Sequence, residues 1–339
     1  MVWDVPESYS VRQAALGDVE QIVEVMNACS LEIVGVRTHT VEDQLADWQS
    51  PGFDPSRDAR VVLSPEGRVV GCADVWDLDE PHVRIFSRGN VHPDHRDRGI
   101  GCSLLQWTQH RASESIRLAP AGARVTLSQS IFEQELQAQA LLEGAGFSLN
   151  RVFSRMVMDM EDAPASPSWP DGVCVRGYRQ DDLEPTVRMV QTAFCDHWGH
   201  VDVPFEEELK QWRHWTTAYK DFDPGLWFLA VDGSTGEIVG VVLGWPTTPE
   251  DPKMGWIEVV GVLRDWRGRG LGLALLRHAF GEFHRRGYRK VGLGVDAASL
   301  TGATRLYARA GMKPMRRKLN FEKELRSGED LSRRELDAD

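Results

Sequence analysis

The chain repeats itself, and that repeat constrains the fold more tightly than any other feature. Val11, Arg12, Asp18 and Glu20 recur 164 residues later as Val175, Arg176, Asp182 and Glu184, and Leu45 and Trp48 recur at the same distance as Leu209 and Trp212. Gly67, Gly71 and Trp76 return after 169 residues as Gly236, Gly240 and Trp245. Arg96, Gly99, Gly101, Leu104 and Leu105 return after 171 as Arg267, Gly270, Gly272, Leu275 and Leu276, and Gly146 and Phe147 match Gly311 and Met312 after 165. An ordered series whose spacing drifts by a few residues is what a duplicated domain with short loop insertions leaves behind. A chain of 339 residues is long enough for two such domains, each burying its own core.

Residues 161–172 carry three prolines and no hydrophobic period, so they read as a linker. The expected division is residues 1–160, residues 173–325 and a highly charged, disordered tail at 326–339. In the second copy, strands are expected at Val173–Arg176, Leu226–Val231, Ile238–Trp245, Gly255–Leu263, Lys290–Val295 and Lys318–Lys323. Helices are expected from Asp181 through Ala193, over Leu271–Arg286 and over Thr301–Ala310. The fold class is α+β: two tandem domains, each a central, mostly antiparallel mixed sheet flanked by helices.

A net charge of −12 argues against non-specific binding to nucleic acid or to a membrane surface, both of which need a basic patch. The strongest apolar run, Ile238–Trp245, is too short to cross a bilayer, and the first residues lack the pattern of a signal peptide. Five scattered cysteines without a CxxC pair suit reduced thiols, so a cytoplasmic protein is expected. Asp196, His197 and His200 sit in a short box, but two histidines three apart without further ligands shape a loop more often than they hold a metal; none is expected.

The most informative stretch runs from Val259 to Gly272, between a strand and a helix. Closely spaced glycines let backbone N–H groups approach a ligand, and the helix N-terminus adds unpaired donors and the positive end of a dipole. Arg267 and Arg269, with Arg264 nearby, can add charge-assisted bonds to phosphate oxygens. The first copy has the same design in Arg96, Gly99 and Gly101. The pattern R-x-x-G-x-G is weak alone, but two copies at equivalent strand-to-helix junctions are specific. It is neither a P-loop nor a dinucleotide fingerprint, since no Gly-Lys-Ser/Thr follows and it sits late in each domain.

With a following strand and then Ala303, Leu306, Tyr307, Gly311 and Met312, this arrangement resembles the GNAT superfamily of N-acetyltransferases, over nearly the whole chain as two domains. The resemblance implies acetyl-CoA as co-substrate, its pyrophosphate on Arg267, Gly268, Arg269, Gly270, Leu271 and Gly272. It implies that Val260, Gly261 and Val262 offer backbone contacts to the pantetheine arm. Arg96, Gly99 and Gly101 would form the equivalent site in the first copy.

Acetyl transfer from a thioester to an amine needs an unprotonated amine, a stabilised oxyanion and a protonated or hydrogen-bonded thiolate. Tyr307 occupies the family's tyrosine position and is the candidate acid; Leu142 stands there in the first copy, which therefore reads as non-catalytic. The family's glutamate position, six residues before Val262, is held by Trp256. The nearest carboxylate is Glu258, which strand alternation puts on the same side as Trp256 and Val260. Asp296, His214 or a water chain are alternative bases. The acceptor implied is a primary amine of a small molecule, a cysteinyl amino-sugar being one case, bound by loops at residues 29–55 and 195–222. Protein or peptide N-acetylation and a non-catalytic acyl-CoA sensor are the competing readings.

Overall fold

The computed structural model describes residues 3–335 and divides into two compact units, each drawing on both halves of the sequence: residues 1–151 with 318–331, and residues 152–317 with 332–339. The strands are β1 (Ser10–Gln13), β2 (Ala59–Leu63), β3 (Val69–Trp76), β4 (Arg84–Val91), β5 (Val125–Phe132), β6 (Ser148–Asp159), β7 (Val173–Gly177), β8 (Trp227–Asp232), β9 (Ile238–Trp245), β10 (Met254–Val262), β11 (Lys290–Asp296) and β12 (Lys313–Arg326). The helices are α1 (Val19–Val34), α2 (Val41–Trp48), α3 (Pro55–Asp58), α4 (Ile100–Ser115), α5 (Leu136–Gly144), α6 (Leu183–Phe194), α7 (Phe205–Ala218), α8 (Leu271–Arg285) and α9 (Ala303–Arg309).

In the first unit the strand order is β1-β2-β3-β4-β5-β12, and in the second it is β6-β11-β10-β9-β8-β7. Each sheet is antiparallel except for one central parallel pair, β4 with β5 and β10 with β11. The edge strand beyond that pair comes from the other half of the sequence. β12 pairs with β5 from Lys318↔Phe132 to Arg326↔Val125, while β6 pairs with β11 from Asp159↔Lys290 to Phe153↔Asp296. The expected boundaries at 160 and 173 are thereby corrected: residues 152–159 belong with the second unit and 318–325 with the first. The reason is that β5 and β11 would otherwise expose unpaired backbone edges, and each is covered by the strand that arrives from the other copy.

The repeat is visible in contacts. Arg12 forms a two-bond ion pair with Asp18 at 2.7 Å, and Arg176 does the same with Asp182 at 2.6 and 2.7 Å, each bracing the entry to α1 or α6. In the second unit Leu271, Leu275, Leu276, Ala279, Phe280 and Phe283 of α8 are buried against the sheet in the period of a core-facing helix. Gly255 is required there, since a Cβ on it would lie 2.3 Å from Phe283 Cε1.

Two further expectations are corrected. The stretches 29–55 and 195–222 hold helices α2 and α7 as well as loop; Leu209 and Trp212 are buried on α7, and Glu206, Glu207 and Glu208 favour its N-terminus. Residues 326–335 are paired rather than disordered. Arg124 N–H donates to the Glu329 carbonyl at 2.7 Å, and Arg333 N–H to the His200 carbonyl at 2.8 Å. Residues 336–339 of the expected tail lie outside the described residues. No described helix is long and apolar enough to cross a membrane.

Candidate active site in the second unit

The site begins where two parallel strands part. The β10–β11 ladder runs from Met254↔Lys290 to Ile257↔Leu293 and stops, although both strands continue. From Val259 to Val262, β10 stays paired on its β9 side only, so its other backbone edge is left open to a ligand. The parting coincides with a β-bulge: Ile257 pairs with Gly244 and Val259 with Leu243, which leaves Glu258 as the extra residue. The first unit parts its strands at Ser87↔Gln129 but has no bulge there. Trp76 faces Phe86 as Trp245 faces Trp256, and Asp74 faces Arg88 as Leu243 faces Val259. Glu258 is therefore a one-residue insertion relative to the first copy.

Glu258 is solvent-accessible but sits between close walls, and desolvation there raises its pKa above the usual carboxylate range, opposed by a hydrogen bond from Trp256. That bond runs from Trp256 Nε1 to Glu258 Oε2 at 2.6 Å. Of the alternative bases, Asp296 ends β11 with its Oδ1 accepting from Ala298 N–H at 2.9 Å. His214 lies on α7 against the Tyr219 ring.

Beyond β10 the chain turns through Arg264–Trp266 into α8. Gly268 and Gly270 have φ of +73° and +86°, and a Cβ on either would meet nothing within 4 Å, so the turn is both left-handed and open. The first intrahelical donor is Ala274, to the Gly270 carbonyl at 3.0 Å. The amides of Leu271, Gly272 and Leu273 precede it and form an anion-binding end. Gly272 packs under α9, where a Cβ would lie 3.1 Å from Leu306 Cδ2.

The arginines divide in a way the sequence did not show. Arg267 donates to Asp196 Oδ2 at 2.6 Å, to the Ala193 carbonyl at 2.8 Å and to the Val262 carbonyl at 3.1 Å. Arg264 donates to Asp196 Oδ1 at 2.6 Å. Both guanidiniums thus fasten the end of α6 to the end of β10. Arg264 and Arg267 hold the Asp196 carboxyl down at about 2. The first copy repeats the clasp: Arg96 pairs with Glu32 at 2.6 Å, and Glu32 precedes Asp196 by the same 164 residues as the other early matches. That spacing was the available signal for this missed residue. Arg269 is exposed, lies 5.0 Å from the Trp266 ring centroid and has no ion pair among the described residues.

Within the expected metal box, His200 Nε2 lies 3.1 Å from Asp202 Oδ1. His197 packs at a tilt against Phe194, with ring centroids 4.2 Å apart, and its pKa is lowered to about 4, chiefly by burial and then by Arg267.

Tyr307 is 8% exposed on α9, and burial pushes its hydroxyl up to about 12. No hydrogen bond to that hydroxyl is present among the described residues. The Tyr307 carbonyl accepts from Met312 N–H at 3.0 Å, as the Leu142 carbonyl accepts from Phe147 N–H at 3.0 Å, so the two residues are structural equivalents.

In the first unit, Arg96, Gly99 and Gly101 line a cavity of about 640 Å³ between the parted strands and α4. Its turn differs from the other. Asp97 takes the left-handed position of Gly268 with φ of +58°, and the Asp4 carbonyl lies 2.8 Å from where a Gly99 Cβ would stand.

Sequence and fold comparisons agree with this geometry. The description "Acetyltransferase (GNAT) family" matches residues 188–312, and "Acetyltransferase (GNAT) domain" matches residues 57–149. A mycothiol acetyltransferase of Thermobispora bispora is 29% identical, covering 87% of this chain and 92% of its own. One of Streptomyces bingchenggensis is 30% identical, covering 73% and 75%. A GCN5-related N-acetyltransferase structure from Sphaerobacter thermophilus superposes with a TM-score of 0.79 at 36% identity, covering 96% of this chain and 98% of that one. A tandem GNAT protein of the clavulanic acid biosynthesis pathway shares the fold alone, with a TM-score of 0.71 at 19% identity over 95% of this chain and 100% of that one. The chain belongs to the GNAT acetyltransferase family, as a tandem, two-domain acyltransferase that resembles the mycothiol acetyltransferases.

Proposed function

We propose that the second unit moves an acetyl group from acetyl-CoA to the primary amine of a small molecule by direct attack, with Glu258 as base and Tyr307 as donor to the departing sulfur. The observation that carries this reading is the bulge. It puts a carboxylate of raised pKa at the point where β10 and β11 part, in one copy only. A base with such a pKa suits removal of a proton from an ammonium group near neutral pH.

The residues present fit acetyl-CoA, which supplies the activated acetyl group when bound. The open edge of β10 at Val260, Gly261 and Val262 suits the pantetheine amides. Gly268, Gly270 and the leading amides of Leu271 and Gly272 suit the pyrophosphate, with Arg269 adding charge and Arg267 holding the turn in shape. Tyr307 stays protonated throughout the physiological range. Full transfer from a phenol at about 12 to a thiolate of pKa ~8.5 would be uphill by ~5 kcal/mol. Tyr307 therefore acts first as a hydrogen-bond donor to the sulfur and yields its proton only as it recovers another.

The first unit keeps the cavity without the bulged carboxylate or the tyrosine. We assign it a second, weaker acyl-CoA site without chemistry, weaker because the Asp97 carboxylate sits in its anion turn and Asp4 crowds Gly99. The acceptor assigned is a cysteinyl amino-sugar of the mycothiol-precursor type, supported by the relatives' activity. Free thiols at all five cysteines suit a cytoplasmic location.

The test follows thiol release from acetyl-CoA with that amino-sugar, a panel of other small amines, and peptides with free N-termini or lysines. Turnover on the amino-sugar supports the reading. Turnover only on peptides would move the chain to the protein acetyltransferases, and acetyl-CoA binding without turnover on any amine would make it a sensor.

A further inference from the structure

We propose that Trp256 is a positioning residue for Glu258, and that it is itself aimed by an Arg155–Glu250 ion pair stacked on its indole. This rests on the reading of Glu258 as base for its catalytic consequence, though not for its geometry.

Trp256 lies on β10 opposite Gly292 of β11 and Trp245 of β9. Its ring lies over Gly292, where a Cβ would be 2.9 Å from Cζ3 and 3.0 Å from Cε3, and over Gly294, where one would be 3.9 Å from Cζ2. Only residues without side chains let the indole lie flat along β11. Its other contact is the Arg155 guanidinium, 4.5 Å from the ring centroid, a cation–π distance. Arg155 stands on β6 opposite Gly294, so the strand donated from the first half of the sequence supplies it. Arg155 is ion-paired with Glu250, which also accepts from Arg316 at 3.1 Å. Burial lowers the Arg155 pKa and Glu250 opposes that, so the pair holds the cation against the ring.

The result is a chain, Arg316–Glu250–Arg155–Trp256–Glu258, that ends in a 2.6 Å indole N–H bond to the carboxylate. A bulged residue lacks a ladder partner to fix its orientation, and this bond supplies one. A cation on the indole face draws electron density from the ring and strengthens the N–H as a donor to an anion. Ionisable groups stand on the elements packed around β10: Lys290 and Asp296 on β11, Glu184 and Arg188 on α6, Arg277, His278, Glu282, His284 and Arg285 on α8, and Arg305, Tyr307 and Arg309 on α9, while β9 carries none. None of them shifts Glu258. Desolvation between the neighbouring walls and the indole are the two influences on it, the first raising and the second lowering its pKa.

Trp256→Phe keeps a ring between Gly292 and Arg155 and removes the N–H. Protonation of Glu258 is followed by its infrared carboxyl band, identified by its loss in Glu258→Gln. In Trp256→Phe the midpoint should rise by about one pH unit while acetyl-CoA affinity is unchanged. The acidic limb of kcat should rise with it, and kcat at neutral pH should fall several-fold. Arg155→Met should move the midpoint in the same direction by less, and serves if Trp256→Phe does not fold. A midpoint that stays put in the folded variants overturns the proposal. A midpoint that moves while the kcat limb does not would leave Trp256 as the positioning residue and remove Glu258 as the base.

Discussion

In the first unit Asp74 and Arg88 face each other across β3 and β4; at the same place in the second unit Leu243 faces Val259 across β9 and β10. Arg88 donates to Asp74 at 2.9 and 3.1 Å and to Asp47 at 3.4 Å, and it lies 4.9 Å from the Trp76 ring centroid. His39, close to Arg88, has its pKa lowered to about 4, mostly by burial. The first copy thus carries an ion-paired polar network across β3 and β4 beside its parted strands. The second has an apolar pair there and inserts Glu258 just before it, leaving a carboxylate with no ion pair among the described residues. Both copies keep the clasp of arginine on a helix-end acid, the left-handed turn and the helix N-terminus. The difference teaches that the cradle belongs to the shared frame, whereas the groups proposed to react arise from one inserted residue and one exchange, Leu142 against Tyr307.

The exchange of edge strands makes the strongest prediction. A fragment of residues 173–339 lacks β6 and exposes the long edge of β11, so it should fail to form a soluble monomer. A fragment of residues 152–317 also keeps the unit's own strand and should be recovered in better yield by size-exclusion chromatography. Equal recovery of the two would mean that the strand from the first half is dispensable.

Smaller but still large is the effect expected at the open turn. Gly270→Glu puts a carboxylate on the anion site and should weaken acetyl-CoA binding at the tighter calorimetric site by more than about 100-fold, or ~3 kcal/mol. The left-handed φ of +86° strains any side chain by about 1–2 kcal/mol, but a Cβ there meets nothing within 4 Å, so the fold should survive at that cost. Loss of only the weaker site would reverse the assignment of the two copies.

Next comes the bulge. Glu258→Gln should lower kcat by about 100-fold with acetyl-CoA affinity retained. Deleting Glu258 restores the register of the first copy and should lower kcat at least as much in a folded protein. Activity surviving both would end the claim that the insertion created the base.

The smallest effect concerns the clasps. Asp196 is held at about 2, below the ordinary carboxylate value, so it favours the folded state above pH ~4 and loses that contribution as pH falls toward 2. Between those limits it should account for about 1–2 kcal/mol of acid destabilisation, which Asp196→Asn removes from the pH dependence of urea unfolding. Glu32→Gln in the other copy should change less, because the Glu32 side chain is 48% exposed.

Much of this was legible in the chain. The matched residues located the turns, since Gly99 and Gly270 must adopt the same left-handed conformation in both copies. The apolar period of α8 located the buried face behind the second turn. Strand exchange was not legible, because β6 and β12 look alike by pattern and nothing local says which edge each will cover. Nor was the role of Arg267: an arginine beside glycines suggests phosphate, and only its distance to Asp196 reveals a strut. Glu258 was found by alternation along β10. The reason it differs from the first copy lay in a two-residue change of repeat spacing, from 169 to 171 across β9, β10 and the turn, one residue gained before Trp256 and one at Glu258; the spacing shows that residues were gained but not that one became a bulge.

The central claim, that acetyl transfer takes place in the second unit, meets its most direct test in Tyr307→Phe. Phenylalanine fits the same buried site and removes only a hydroxyl that has no hydrogen bond among the described residues, so folding and acetyl-CoA affinity should stay as they are. The account predicts a fall in kcat of about 100-fold or more, measured as thiol release. A variant that binds acetyl-CoA normally and turns over at the original rate would contradict it.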